Sequence, residues 1–169
     1  MSRLRRLLTT HRVFFVTAHF TRQVLPITRE ERSLILRCLA KTRERRRFLM
    51  MAYVVMPTHI HLLFAPHNDD AVSVVMREIK LRAAKQIQEG RAGCGSLWQA
   101  RFFDRIVRHP KEWRETIEYI HGNPVKDRLV EKAGEWPWSS WGAYQPGGAA
   151  PVPVDFVEMP LDDYTPLAW

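Results

Sequence analysis

The chain has 169 residues, 46% of them hydrophobic and 26% charged, with 8 Phe, 6 Trp and 4 Tyr, so one compact core is expected. That composition excludes wholesale disorder, and the length excludes a (β/α)₈ barrel, which takes ~250 residues. Its 26 Lys and Arg against 18 Asp and Glu leave a formal charge of +8 and a pI near 10.0, which points to a polyanionic partner.

The charge is unevenly placed. Residues 1–50 carry 13 basic and 3 acidic side chains, residues 51–130 carry 12 and 9, and residues 131–169 set Lys132 against six carboxylates. Arginine dominates the basic part, with Arg3, Arg5, Arg6 and Arg12 near the start and Arg43, Arg45, Arg46 and Arg47 further on. Its planar fork suits phosphate oxygens, although a solvated surface has the same composition. Cys38 and Cys94 form neither a CxxC pair nor a zinc pattern, which fits a reducing cytoplasm. The opening stretch lacks the apolar core of a signal peptide, and no run reaches the ~18 apolar residues of a membrane span.

In chain order, residues 13–20 (VFFVTAHF) read as a first strand, rich in β-branched and aromatic residues. Thr28 followed by Glu31 has the capping-box pattern, and Leu34, Ile35, Leu36 and Leu39 supply the apolar face of a helix ending near Lys41. A basic turn over 43–47 leads into residues 48–56, an apolar run short enough for a strand buried on both faces, broken by Pro57. Residues 59–66 read as its antiparallel partner. Val72, Val75, Ile79, Ala83 and Ile87 share one stripe of an amphipathic helix over 71–90, with Arg77, Lys80, Arg82 and Lys85 around it. Residues 97–109 suggest another strand or strand pair. Pro110 suits the first turn of a last helix covering Glu112 to His121 and stopping at Gly122. This order implies an α+β fold, a ferredoxin-like or RRM-like antiparallel sheet with helices packed on one face. Six prolines from Pro137 onward mark an irregular end, so the chain divides into a domain at 1–141 and a Pro/Gly-rich acidic tail at 142–169, a candidate lid over a nucleic-acid groove.

Two positions stand out chemically. His59 and His61 are two apart in a strand, so both imidazoles project from one face, with Cα atoms ~6.6–6.8 Å apart. Two rings at that spacing can converge on one divalent ion, while Ile60 points into the core on the other side; a solvated histidine pair has the same pattern. In the last helix, Glu115, Tyr119 and Asn123 follow at intervals of four and share one stripe. A phenol there can act as a nucleophile on a group that a metal polarises, or pack its ring against the sheet.

Four segments in this order and spacing, VVMPTHIHLLF, SLWQARFFDRIV, IEYIHGNPVKDRLV and WPWSSW, resemble the single-tyrosine HUH transposases, and most of all their REP-associated tyrosine transposases, from about Val13 to Trp141. The resemblance implies that Tyr119 is the nucleophile and that His59, His61 and Asn123 hold a divalent metal, Mg²⁺ or Mn²⁺. It implies cleavage and strand transfer on single-stranded DNA through a 5′-phosphotyrosine intermediate, with a repetitive extragenic palindrome hairpin as partner. It further implies a cytoplasmic, nucleoid-associated protein acting as a monomer rather than a homodimer, with no membrane role. Phosphate contacts are expected from Arg82, Lys85, Arg101, Arg105 and Arg108, and base stacking from Trp98 and Phe102. Arg43, Arg45, Arg46 and Arg47, with the Arg3, Arg5 and Arg6 arm, are expected to grip a hairpin stem. The alternative is a non-catalytic hairpin-binding protein derived from a transposase.

Overall fold

The computed structural model describes residues 5–6, 12–67, 70–91 and 95–158, with backbone only at 5, 6 and 158. A two-residue strand β1 (Arg5–Arg6) precedes β2 (Val13–His19), α1 (Arg29–Arg46), β3 (Leu49–Val55), β4 (His59–Ala65), α2 (Val72–Gly90), β5 (Phe103–Val107), α3 (Pro110–Lys126) and a second two-residue strand, β6 (Val157–Glu158). The main sheet is antiparallel throughout, in the order β3-β4-β2-β5, and β1 pairs with β6 in parallel beside it. Because β4 separates β2 from β3, and β2 separates β4 from β5, each β-α-β crossover skips one strand, as in a ferredoxin-like fold.

Period-two alternation sends each strand's residues to two separate cores. Val16, Ala18, Tyr53, Ile60, Leu62 and Phe64 pack with Ile35 and Leu39 of α1 and Val75, Ile79 and Ala83 of α2. Val13, Phe15, Val54, Leu63 and Val107 pack on the opposite side with Ile120 of α3. The antiparallel α+β sheet is as expected, but helices cover both faces: α1 and α2 lie on one and α3 on the other. A bulge between Met50 and Ala52 puts Met51 and Ala52 on the same face, which keeps both halves of β3 in phase with their cores.

The helix boundaries depart from expectation in two places. The capping box at Thr28 is present, with Glu31 N–H donating to Thr28 Oγ1 and Thr28 N–H to Glu31 Oε2. However, α1 runs on to Arg46, so the supposed basic turn is the helix's last turn, closed by Arg47 in the left-handed region at φ 55°. Likewise α3 does not stop at Gly122 but continues through Pro124. Burial of Ile120, His121, Asn123 and Pro124 outweighs the roughly 1 kcal/mol that a mid-helix glycine costs. It ends in a Schellman motif: Leu129 N–H bonds Pro124 O at 2.9 Å, Arg128 N–H bonds Val125 O at 2.9 Å, and Arg128 sits at φ 56°. Residues 97–109 form one strand rather than two, plus a single bridge between Phe20 and Trp98.

Residues beyond α3 are irregular but integrated. The stretch from Trp136 to Ser140 lies along the outer edge of β3, with Val55 N–H bonding Trp138 O at 2.8 Å and Ser140 N–H bonding Tyr53 O at 3.0 Å. Ser140 Oγ accepts from Tyr53 N–H at 2.9 Å and meets His121 Nε2 at 2.8 Å, tying α3 to that edge. Further along, Val152 N–H bonds the Tyr53 hydroxyl at 2.8 Å, and Asp155 accepts from Arg43 and from Met50 N–H. Residues 142–158 are thus fixed to the body; the acidic residues after 158 lie outside the described residues, as do Arg3 and Cys94. Cys38 is buried and free. Among the described residues, no helix is long and apolar enough to cross a membrane.

Candidate functional site

Register places the histidines. In the β2–β4 ladder Thr17 faces His61, Ala18 faces Ile60 and His19 faces His59. Ile60, 1% exposed, anchors the α1–α2 core with burial worth about 2 kcal/mol, so both imidazoles must project to the α3 side. There His59 Nε2 and His61 Nε2 stand 3.0 Å apart. Each ring is fixed from behind: His61 Nδ1 by Thr17 Oγ1 at 2.8 Å and His59 Nδ1 by Thr58 Oγ1 at 2.8 Å. Hydroxyls on both Nδ1 atoms aim both Nε2 atoms at one point, the arrangement by which outer partners orient metal-ligating imidazoles.

Tyr119 and Asn123 reach the same place from α3. The Tyr119 ring meets His61 edge-on at 5.3 Å between centroids and Phe15 at 6.0 Å, while 43% of the residue stays open to solvent. Phe15 also stacks on His61 at 5.3 Å, so one ring supports both the imidazole and the phenol. Asn123 is buried; its Nδ2 donates to Tyr119 O at 3.4 Å, and its side chain lies close enough to His59 to favour the protonated ring. The core-packing alternative for Tyr119 is not what the structure has.

Burial and neighbouring positive charge keep the imidazoles neutral. Desolvation, then His59, His19 and Lys126, push His61 down to about 3. Burial and His19 also lower His59, partly offset by Asp127 and the Asn123 side chain. Neutral imidazole is the form that binds metal. Among the described residues no group of three or more His, Cys, Asp or Glu side chains could hold an ion. A third protein donor beside the two imidazoles would then come from another kind of side chain, and the Asn123 amide reaches toward them from α3. The separation of the two Nε2 atoms fits neighbouring ligands on one ion at bond lengths of roughly 2.0–2.2 Å. These residues fit a divalent cation with a mixed nitrogen and oxygen shell.

Three contributors were not evident from the sequence. Thr17 is 44 residues from His61, and only strand register joins them. Thr58 adjoins His59 but lies in the turn. Lys126, whose Nζ is 5.4 Å from the centre of the Tyr119 ring, follows the 119, 123, 126 helical spacing and would have been found had the helix been extended past Gly122. Glu115, on the same stripe, instead pairs with Lys111 on the outer surface at 3.8 Å.

The expected DNA contacts divide. Trp98 is buried against Phe20 with its Nε1 donating to Lys80 O at 3.1 Å, so it presents no ring face to a base; the exposed aromatic in that segment is Phe103, while Phe102 packs on the core. Arg105 lies over Phe15 and pairs with Glu112, a contact that ties β5 to α3. Arg82 belongs to α2, across the sheet from the imidazoles, and pairs with Glu78 at 2.9 Å. Arg45 and Arg46 share that carboxylate at 3.1 and 2.7 Å, and Arg43 pairs with Asp155 at 2.6 Å. Those four guanidiniums, expected to contact phosphates, each pair with a carboxylate of the protein itself. Lys85, Arg47, Arg101 and Arg108 are exposed, and none of their side chains pairs with a carboxylate among the described residues, although Arg108 N–H donates to Glu112 Oε2 at 3.1 Å.

Residues 6–123 match the family described as IS200-like transposases, a span that contains Thr17, both histidines, Tyr119 and Asn123. The chain is 29% identical over 153 residues to the REP-associated tyrosine transposase of Escherichia coli K12, covering 90% of each protein. The structure of a REP-associated tyrosine transposase bound to a REP hairpin superposes with a TM-score of 0.71 at 25% identity, covering 98% of this chain and 99% of that one. With the match running over the main sheet, α1, α2 and most of α3, and so over Tyr119, both histidines and Asn123, the chain belongs to the IS200-like transposase family.

Proposed function

We propose that the protein cleaves and rejoins single-stranded DNA beside palindromic hairpins of the REP type, using Tyr119 as nucleophile and acting as a monomer in the cytoplasm. The observation that carries this reading is the edge-on contact of an accessible Tyr119 ring with His61, whose Nε2 converges with that of His59. A binding protein would need neither the paired imidazoles nor an exposed phenol beside them. His59, His61 and the Asn123 amide oxygen are the residues that would hold a divalent cation, Mg²⁺ or Mn²⁺, which when bound withdraws charge from the scissile phosphate.

The chain's own groups account for the rest. Phe15 and α3 hold the phenol in one orientation, which removes much of the entropic cost of attack. The Tyr119 oxygen bonds to phosphorus as the bond to the 3′-oxygen breaks. The phenol gives up one proton and the departing 3′-oxygen takes one, leaving a 5′-phosphotyrosine and a free 3′-hydroxyl. One phosphodiester replaces another, so a 3′-hydroxyl can reverse the step without an external energy source. Lys126 lies where it favours negative charge on the phenol and on the incoming phosphate.

The test is covalent capture. Wild-type protein incubated with Mn²⁺ and a labelled hairpin carrying single-stranded flanks should give an adduct that survives a denaturing gel. Tyr119→Phe should abolish the adduct and retain hairpin binding. An adduct persisting in Tyr119→Phe would assign the attack to another residue, and none in the wild type with any divalent ion would refute strand cleavage.

A further inference from the structure

On the face that carries the imidazoles, α3 lies chiefly over β3 and β4; on the β2–β5 side Val13, Phe15 and Val107 are covered, while the strip that ends at Phe103 is open. Along that strip, His61 of β4 is directly opposite Thr17 of β2, and Thr17 is directly opposite Phe103 of β5. Strands are spaced ~4.8 Å apart, so Phe103 sits about 10 Å across the sheet from His61. Alternation along β5 puts Phe103, Arg105 and Val107 on this same face. Arg105 and Val107 are covered to different degrees, Arg105 by its pair with Glu112 and Val107 by the core, whereas Phe103 is 57% exposed. Leu81 of α2, the other large apolar side chain more than half exposed among the described residues, is on the opposite face. Phe103 is thus a ring held out to solvent at the open margin of the site, with exposed Arg101 two residues before it.

We infer that Phe103 is a positioning residue, a platform on which one unpaired base of the DNA strand, within one or two nucleotides of the scissile phosphate, stacks. The inference rests on the proposed function for which strand lies there. An aromatic ring beside a backbone-binding cation is the usual composition of a single-strand site, because every base offers a π-face and the phosphate offers charge. Stacking at this point fixes the strand's direction across the sheet and hence which phosphate meets Tyr119. A second copy of this chain pairing along β5 is the competing occupant, but Asp104 and Arg105 in the middle of that short strand disfavour edge-to-edge association.

The experiment measures binding in a Tyr119→Phe background, so no cleavage intervenes. Fluorescence anisotropy is read with a labelled hairpin whose single-stranded flank carries an abasic residue walked one position at a time. Phe103→Ala should weaken binding of the intact flank about 10-fold, and Phe103→Trp should restore it. In the protein with Phe103 intact, one abasic position should cost about as much, and at that position alone Phe103→Ala should cost little more. Equal affinity of Phe103→Ala for the intact flank would overturn the inference, as would a loss of the same size at every abasic position. A change from dimer to monomer in Phe103→Ala, measured by light scattering without DNA, would assign the ring to self-association instead. Failure of the adduct assay speaks to cleavage by Tyr119, whereas the abasic pattern speaks to Phe103 alone.

Discussion

Two buried imidazoles should make the fold acid-sensitive well above the range where carboxylates titrate. His61 is held down to about 3 and His121 to about 4, both chiefly by burial. In the unfolded chain each returns to about 6.5. Below that value the unfolded state binds protons that the native state refuses, so stability is fully present above pH 6.5 and is lost as the pH falls toward the folded values. Each group contributes about 1.4 kcal/mol per pH unit once its unfolded form is protonated, and integration from pH 7 to pH 5 gives roughly 3 to 4 kcal/mol for the pair. Glu30 and Glu78 are both lowered from 4.5, Glu30 by its backbone and Thr28 hydrogen bonds and Glu78 by bonds to Arg46 and Arg82 that outweigh its desolvation, so neither contributes in this window. With urea m-values of about 1–3 kcal/mol per molar, the urea midpoint measured in a chelating buffer should fall by roughly 1 to 4 M between pH 7 and pH 5. His121→Gln, lacking one of these groups while His61 and the likewise lowered His59 remain, should show a smaller fall. A midpoint flat across this range, or an undiminished fall in His121→Gln, would refute the assignment of two neutral buried histidines.

Thr17→Val keeps the shape and removes the hydroxyl behind His61 Nδ1, so the Mn²⁺ concentration for half-maximal adduct formation should rise about 10- to 100-fold, read by titrating metal in the gel assay. Ser140→Ala leaves Tyr53 N–H and His121 Nε2 without their buried partner and should cost about 2 kcal/mol, lowering Tm by roughly 4–8 °C in calorimetry. Gly122→Ala should instead stabilise by about 0.5–1 kcal/mol in urea denaturation, because an added Cβ meets nothing within 4 Å and the helix continues through this position.

Much of the fold was legible because local signals agreed with one another. The capping box at Thr28, the stripe from Val72 to Ile87 and the apolar runs around Pro57 each named an element, and their order implied the sheet. The sequence also marked His59, His61, Tyr119 and Asn123, two pairs that chain folding brings to one point. What it hid depended on long-range burial. Gly122 and Pro124 are breakers by propensity, yet the helix passes through them because its inner side is packed. Trp98 and Phe103 are both aromatics in one short segment, and only the path of the chain past Phe20 decides which turns inward. The arginines at 43, 45 and 46 look like a phosphate grip in isolation, but their carboxylate partners lie 24 or more residues away.

The segment lying along β3 has a consequence beyond holding α3 in place. A sheet margin with unsatisfied amides is a template on which other chains can add, and here the most hydrophobic strand of the protein would otherwise be that margin. Residues 136–140 occupy it from within the same molecule. Shortening the chain ahead of Trp136 should therefore do more than weaken the fold: it should turn a well-behaved protein into one that self-associates into β-rich aggregates as it is made.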